Sequence, residues 1–353
     1  MIDLTFGLLG ALLATNQPLA VSNVIHEQTG IAITVAATPE ERELHEVMLA
    51  DDAAQDDVKL WIDDFSSQSH TNSAEEGKAL NVRILARFDR VRDAYDNFLT
   101  RHPDSAHGFL AYGSFLNEIG DEDKAVDQYE KSRDLDPKNP AVWNNLANYY
   151  GEHSPQKKAF EYYAQAIKLK PDEPIYYQNF ATTVYLYRKD AREYFNINEQ
   201  QVFDKALGLY KQAMILAPDS FVIATDYAES YYGIKPLRTN DALMAWTNAL
   251  NVAHTDLERQ GVFIHLARVK IAAGFFNDAR AQLAAVTNDA YADLKRRLVR
   301  SLADHEHPEA VTETNAAPVI PPELPAVVTA TNAAMVSSNF FSAPRAAHLK
   351  EER

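Results

Sequence analysis

The sequence of 353 residues has no cysteine, so disulfides and thiolate metal ligands are excluded, although this alone names no compartment. Glycine is scarce, at 12 residues, and no glycine-rich phosphate loop can be found among them, which leaves nucleotide binding without a motif. Basic residues are outnumbered: 34 Lys and Arg stand against 50 Asp and Glu, for a net charge of −16. A surface that neutralises nucleic-acid phosphates needs clustered cations. The dense basic cluster here, Lys295, Arg296, Arg297 and Arg300, closes a predicted helix, where cations complement the helix dipole. Nucleic acid is therefore not an expected partner. Long apolar runs are also missing. Leu4 to Ala14 spans 11 residues, too few to cross a bilayer. It has the length of a signal-peptide core, but Asp3 occupies the place of a positive n-region and Pro18-Leu19-Ala20 is a poor cleavage signal. The expectation is a retained apolar helix in a cytoplasmic protein, with a secreted or periplasmic protein as the alternative.

Catalytic signatures are equally sparse. His45-Glu46 and His26-Glu27 begin like a zincin motif, but neither has a second histidine four residues after the first, so two ligands do not share a helix face. His305-Glu306-His307 lies at the start of a tail with nothing to orient it. No nucleophile-elbow sequence is present. No catalytic residue, cofactor or metal is assigned, and an enzyme built on a scattered triad is the third-ranked reading.

What the sequence does contain is a period. Pro103, Pro137 and Pro171 are spaced by 34 residues, and Pro218 follows 47 later, one period plus 13. Trp143, Leu146, Ala147 and Tyr150 fall on one side of a helix, and Ala159, Tyr163 and Ala166 on one side of the next. Each period thus holds two helices. Small residues let the helices cross closely, a neighbouring aromatic fills the groove between them, and proline ends the second helix.

These residues closely resemble the tetratricopeptide repeat, whose signature is Trp-x2-Leu-Gly-x2-Tyr, then Ala-x3-Phe, then Ala and Pro. Residues 140–173 match at nearly every position, with Ala147 for Gly and Tyr163 for Phe. Residues 106–139 supply Tyr112, Gly113, Leu116, Ala125, Tyr129 and Pro137; a third repeat starts at Pro174 and resumes after an insertion at Ala206 and Tyr210. A fourth shows Ala224, Tyr227, Ala242 and Trp246, and a fifth Leu266, Ala267, Gly274, Ala279 and Leu283. The resemblance implies an all-α helical-repeat solenoid, a right-handed superhelix of antiparallel helix pairs. Residues 76–303 would form the array, ending in a capping helix with Tyr291, Leu294, Leu298 and Leu302. Residues 1–75 would be a helical extension, with helices at Pro18 to Glu27, Pro39 to Ala50 and Asp56 to Phe65 and a short strand at Ile31 to Val35. Residues 304–353, rich in Ala, Pro and Thr, read as a disordered tail, in which Phe340-Phe341 and His348 to Arg353 are candidate recognition elements.

The resemblance further implies a concave groove that binds a peptide or helical segment of a protein partner. Positions two, five, nine and twelve of each repeat share one face of its first helix. That face offers Asn144 and Asn148 in the second repeat, Gln178, Thr182 and Tyr185 in the third, Glu229 and Tyr232 in the fourth and Arg268 in the fifth; Asn145 and Asn179 fall at matching positions beside it, with Asp226 next in line. Asparagine can pair with a peptide amide whatever the peptide's sequence, or it can satisfy contacts within the repeat. The clamp for a C-terminal carboxylate known in chaperone co-factors is not expected, because Leu110, Ser114, Ile175 and Asn179 stand where cations and asparagine would be needed and only Asn145 matches. The insertion Tyr187 to Gln200 is either an arm that meets a partner or a segment whose aromatics pack back. The expected function is a protein-interaction scaffold or adaptor. The alternative is a self-assembling protein whose own N-terminal helix or tail fills the groove.

Overall fold

A computed structural model describes residues 38–67 and 74–306. The expected helix at Pro18 to Glu27, the strand at Ile31 to Val35, the apolar N-terminal run, His307 and the tail elements from 307 onward lie outside the described residues. Fourteen α-helices and two short 3-10 turns account for the regular structure among those described. They divide into two compact units, one ending at Pro171 and the other beginning at Asp172.

In the first unit, α1 (Pro39–Ser67) pairs with α2 (Ala74–Arg101), α3 (Ala106–Glu118) with α4 (Glu122–Leu135), and α5 (Pro140–Glu152) with α6 (Gln156–Leu169). Local chemistry sets the starts. Thr38 and Glu41 cap α1 reciprocally, at 3.1 and 2.9 Å; Ser105 Oγ accepts from Gly108 N–H ahead of α3, and Asn139 Oδ1 from Ala141 N–H ahead of α5, where Pro140 fits the first turn. The turn out of α3 passes through Gly120 at φ 81°, a left-handed conformation that glycine adopts without steric cost. Gly113 is small for a different reason: a Cβ there would stand 2.6 Å from the Tyr129 ring.

The N-terminal extension differs from expectation. Residues 39–67 form one helix instead of two, because no glycine or proline interrupts them and the buried stripe Leu44, Val47, Met48, Asp51, Ala54, Val58, Ile62 keeps helical spacing throughout. Asp51 sits inside that stripe and accepts a hydrogen bond from Tyr95 OH at 3.1 Å. Burial pushes its carboxyl up to about 7, and Asp52 beside it to about 6. The boundary expected at 75/76 falls within the first turn of α2.

The second unit contains α7 (Pro174–Leu186), α8 (Arg188–Phe195), α9 (Glu199–Leu216), α10 (Phe221–Glu229), α11 (Thr239–Asn251), α12 (Asp256–Ala272), α13 (Phe276–Ala284) and α14 (Ala292–Glu306). Helix α7 packs on α9, α10 on α11, and α12 on α13. The insertion is helical over most of its length. It forms the short helix α8, an elbow at Asn196 with φ 53°, and a capping box of Asn198 with Gln201 that starts α9. Ala191 is buried, Phe195 lies 6.4 Å from Phe180, and Lys205 reaches over the Phe195 ring, so this aromatic packs back on its own unit. The terminal helix α14 buries Leu298 and Leu302 against α12 and α13. It continues past 303 to Glu306, which is held by Arg280 at 2.6 and 2.8 Å.

Helix pairs at the 34-residue period, with the expected small and aromatic residues buried between them, give the described residues the tetratricopeptide-repeat fold. No helix among the described residues is long and apolar enough to cross a membrane.

Candidate functional site

A feature that the repeat signature does not require governs the first-helix faces. Where the signature has Phe on the second helix, the first three repeats have Tyr129, Tyr163 and Tyr210, all buried. A buried phenol must find a hydrogen-bond partner. In each case the partner occupies position nine of the first helix. Tyr129 meets Ser114, together with Asn145. Tyr163 donates to Asn148 Oδ1 at 2.7 Å. Tyr210 meets Thr182 Oγ1 at 2.7 Å. Because Thr182 gives its own proton to the Gln178 carbonyl at 3.0 Å, Tyr210 is the donor. The position-nine side chain thus latches the two helices of its repeat together.

The predicted asparagines are consequently drawn into the repeats. Asn144 and Asn145 are buried, with Asn144 Nδ2 donating to Asn145 Oδ1 at 3.4 Å. Asn148 is half-buried and its carbonyl oxygen serves Tyr163. Asn179 is buried in α7. Gln178 is buried too, and donates to Asp226 Oδ2 at 2.7 Å. Burial raises the Asp226 carboxyl to about 6 against the opposing effect of that hydrogen bond.

The fourth and fifth repeats break the pattern. Their second helices carry Trp246 and Leu283 in place of tyrosine, and their position-nine residues are Glu229 and Arg268. Trp246 is fully buried and its Nε1 finds no hydrogen-bond partner of acceptable geometry, although it lies close enough to the Tyr232 hydroxyl to favour its ionised form. Neither charged position-nine residue faces a tyrosine at the signature position of its own second helix. The Arg268 guanidinium lies 4.1 Å from the centre of the Tyr232 ring, within range of a cation–π contact. The Tyr232 hydroxyl meets His265 Nδ1 at 3.0 Å, and the His265 ring stacks on Trp246 at 4.1 Å and 15°. Burial, reinforced by Arg268, lowers His265 to about 3, so the imidazole is neutral near pH 7 and can accept the Tyr232 proton. Glu229 and Arg268 also act on the Tyr232 hydroxyl in opposite senses, though burial is the larger influence.

Helix α10 ends after Glu229 and the chain turns through a 3-10 segment, Ser230–Gly233. Gly233 packs closely on Tyr185: a Cβ there would run into the Tyr185 hydroxyl and force that side chain to shift. That approach places Tyr185, a predicted contact residue, against the turn that presents Tyr232. The structure therefore brings Gln178 to Asp226, Thr182 to Tyr210, and Tyr232 to His265 and Arg268 within the second unit. Sequence reasoning did not single out His265 and read Trp246 only as a packing residue of the fourth repeat, since both lie on packing faces; the departure from Phe to Trp at 246 was the available signal.

No protein-family model matches the sequence, and no curated protein matches it. Solved structures of tetratricopeptide-repeat proteins do. The C-terminal part of a tetratricopeptide-repeat protein from Cytophaga hutchinsonii is 16% identical, with 72% of this chain and 98% of that one covered and a TM-score of 0.47. The thermophilic protein TTC0263 of Thermus thermophilus is 21% identical over 56% of this chain and 100% of that one, at 0.41. YrrB, a tetratricopeptide-repeat protein with an unusual peptide-binding site, is 12% identical over 60% and 98%, at 0.44. These likenesses are of chain path; the fold rests on the helix pairs themselves.

Proposed function

We propose that the chain is a protein-interaction scaffold that holds a peptide segment of a protein partner against the first helices of its fourth and fifth repeats, with Glu229, Tyr232 and Arg268 making the contacts. The observation that carries this reading is the change at position nine, from side chains committed to a buried tyrosine in repeats one to three to charged side chains in repeats four and five. A carboxylate and a guanidinium near one tyrosine can meet a peptide's donors and acceptors at once. Binding would take place in the cytoplasm. The test begins with a tagged pull-down and mass spectrometry to name a partner, followed by titration of the purified pair. Arg268→Ala with Glu229→Ala should weaken binding at least tenfold, whereas Asn144→Ala should not. Full affinity in the double variant would sink the assignment of the face.

A further inference from the structure

A second kind of surface lies on the first unit, on elements outside the five repeats. The chain carries −16 overall, yet α1 and α2 enclose a cleft of about 340 Å³ lined by Asp57, Trp61, Arg83, Ala86, Arg87 and Arg90. Three guanidiniums against one carboxylate leave it formally positive. Two of its walls are already positioned. Arg87 Nε is fixed by Asp57 at 2.8 Å, and the Arg83 guanidinium lies 3.7 Å from the centre of the Trp61 ring. Neither Arg83 nor Arg90 has a carboxylate partner among the described residues, and Asp89, next to Arg90 in sequence, is taken by Arg92 at 2.6 Å.

We propose that this cleft binds an acidic peptide segment of a partner protein, with two carboxylates held by the forks of Arg83 and Arg90 and the segment lying along the Trp61 side. Planar guanidiniums pair with carboxylates through two parallel hydrogen bonds. Arg83 and Arg90 are seven residues apart on one helix, about 10.5 Å, close to the roughly 9 Å between residues i and i+3 of a peptide in the polyproline II conformation, whose three-residue turn puts both on one face. The cleft is near the lower end of ligand-site volumes, roughly 300–1,000 Å³, so it suits a short segment. A long polyanion is disfavoured, because Glu75 and Glu76 precede these arginines on α2 and Asp93 and Asp96 follow them. At physiological salt, charges beyond about 8 Å are screened, which lets the cleft attract an acidic segment despite the chain's net charge. The proposal is independent of the position-nine face in the second unit.

Calorimetric titration of the full chain at about 0.15 M salt, with a blocked peptide Gly-Glu-Ala-Ala-Glu-Gly, should give a Kd below about 1 mM. The Arg83→Gln/Arg90→Gln variant should weaken that binding at least tenfold with its thermal melt unchanged, and Arg83→Lys/Arg90→Lys should restore only part of it. No binding by the wild type, equal affinity for the peptide with both Glu replaced by Gln, or full affinity in the Gln double variant overturns the proposal. Inorganic phosphate binding as tightly as the peptide also overturns it, since the occupant would then be a phosphoryl group.

Discussion

Repeats one to three and repeats four and five share one backbone plan and differ in one atom's requirement. In the former, a phenolic oxygen on the second helix claims the position-nine residue of the first, as Tyr163 claims Asn148 and Tyr210 claims Thr182. In the latter, Trp246 and Leu283 make no such claim, and Glu229 and Arg268 stand in that position. A side chain's place on the first-helix face therefore does not decide whether a phenol of its own repeat claims it. The residue packed behind it does.

The largest test of this comparison concerns volume. Tyr163 and Trp246 are both fully buried, so Tyr163→Ala and Trp246→Ala should each cost about 3–5 kcal/mol in chemical denaturation. A much smaller loss at either site would mean that the two rings do not fill equivalent grooves. The hydroxyl itself comes next. Asn148→Ala leaves a buried phenol unpaired and should cost about 1–3 kcal/mol, while Tyr163→Phe should cost about 0.5–1.5. Their double variant should lose less than the sum, with a coupling on the order of 1 kcal/mol. An additive cycle would remove the latch. Glu229→Ala and Arg268→Ala should each change stability by no more than about 0.5 kcal/mol, and a larger loss would place them among the structural residues.

The remaining contrast is one of sign. Asp51 in the first unit is raised to about 7 and His265 in the second is lowered to about 3. The stabilising contribution of Asp51 is complete below its unfolded value near 4 and is lost as pH rises through 7. That of His265 is complete above its unfolded value near 6.5 and is lost as pH falls through 3. Acidification from pH 7.5 to 5 should therefore strengthen protection of α1 from hydrogen exchange while weakening that of α12. Asp51→Asn should flatten the first response, and His265→Gln the second. A common direction in the two units would refute the assignment.

Much of the fold was legible because its signals are local. The 34-residue proline spacing and the small residues at crossings are readable along the chain. The continuity of α1 was not, since Asp51 in the middle of an apolar stripe reads as a solvated break, and its main partner as a buried member, Tyr95, lies 44 residues away. The same holds for the candidate site. Position counting found the first-helix face, but it could not show that Asn148 and Thr182 have partners 15 and 28 residues further on. The substitution of Tyr for Phe in three successive repeats carried that information, and its meaning depended on pairing two helices of a repeat.

The buried tyrosines have a use beyond stability. Tyr129, Tyr163 and Tyr210 are each shielded from solvent, and burial drives the ionisation of Tyr129 and Tyr210 well above the ordinary range. Reagents that attack the phenolate will pass them over while their repeats stay closed. Each is therefore a built-in chemical reporter for the opening of one repeat, so that nitration read by peptide mapping would time the three openings separately, without a label or a foreign residue.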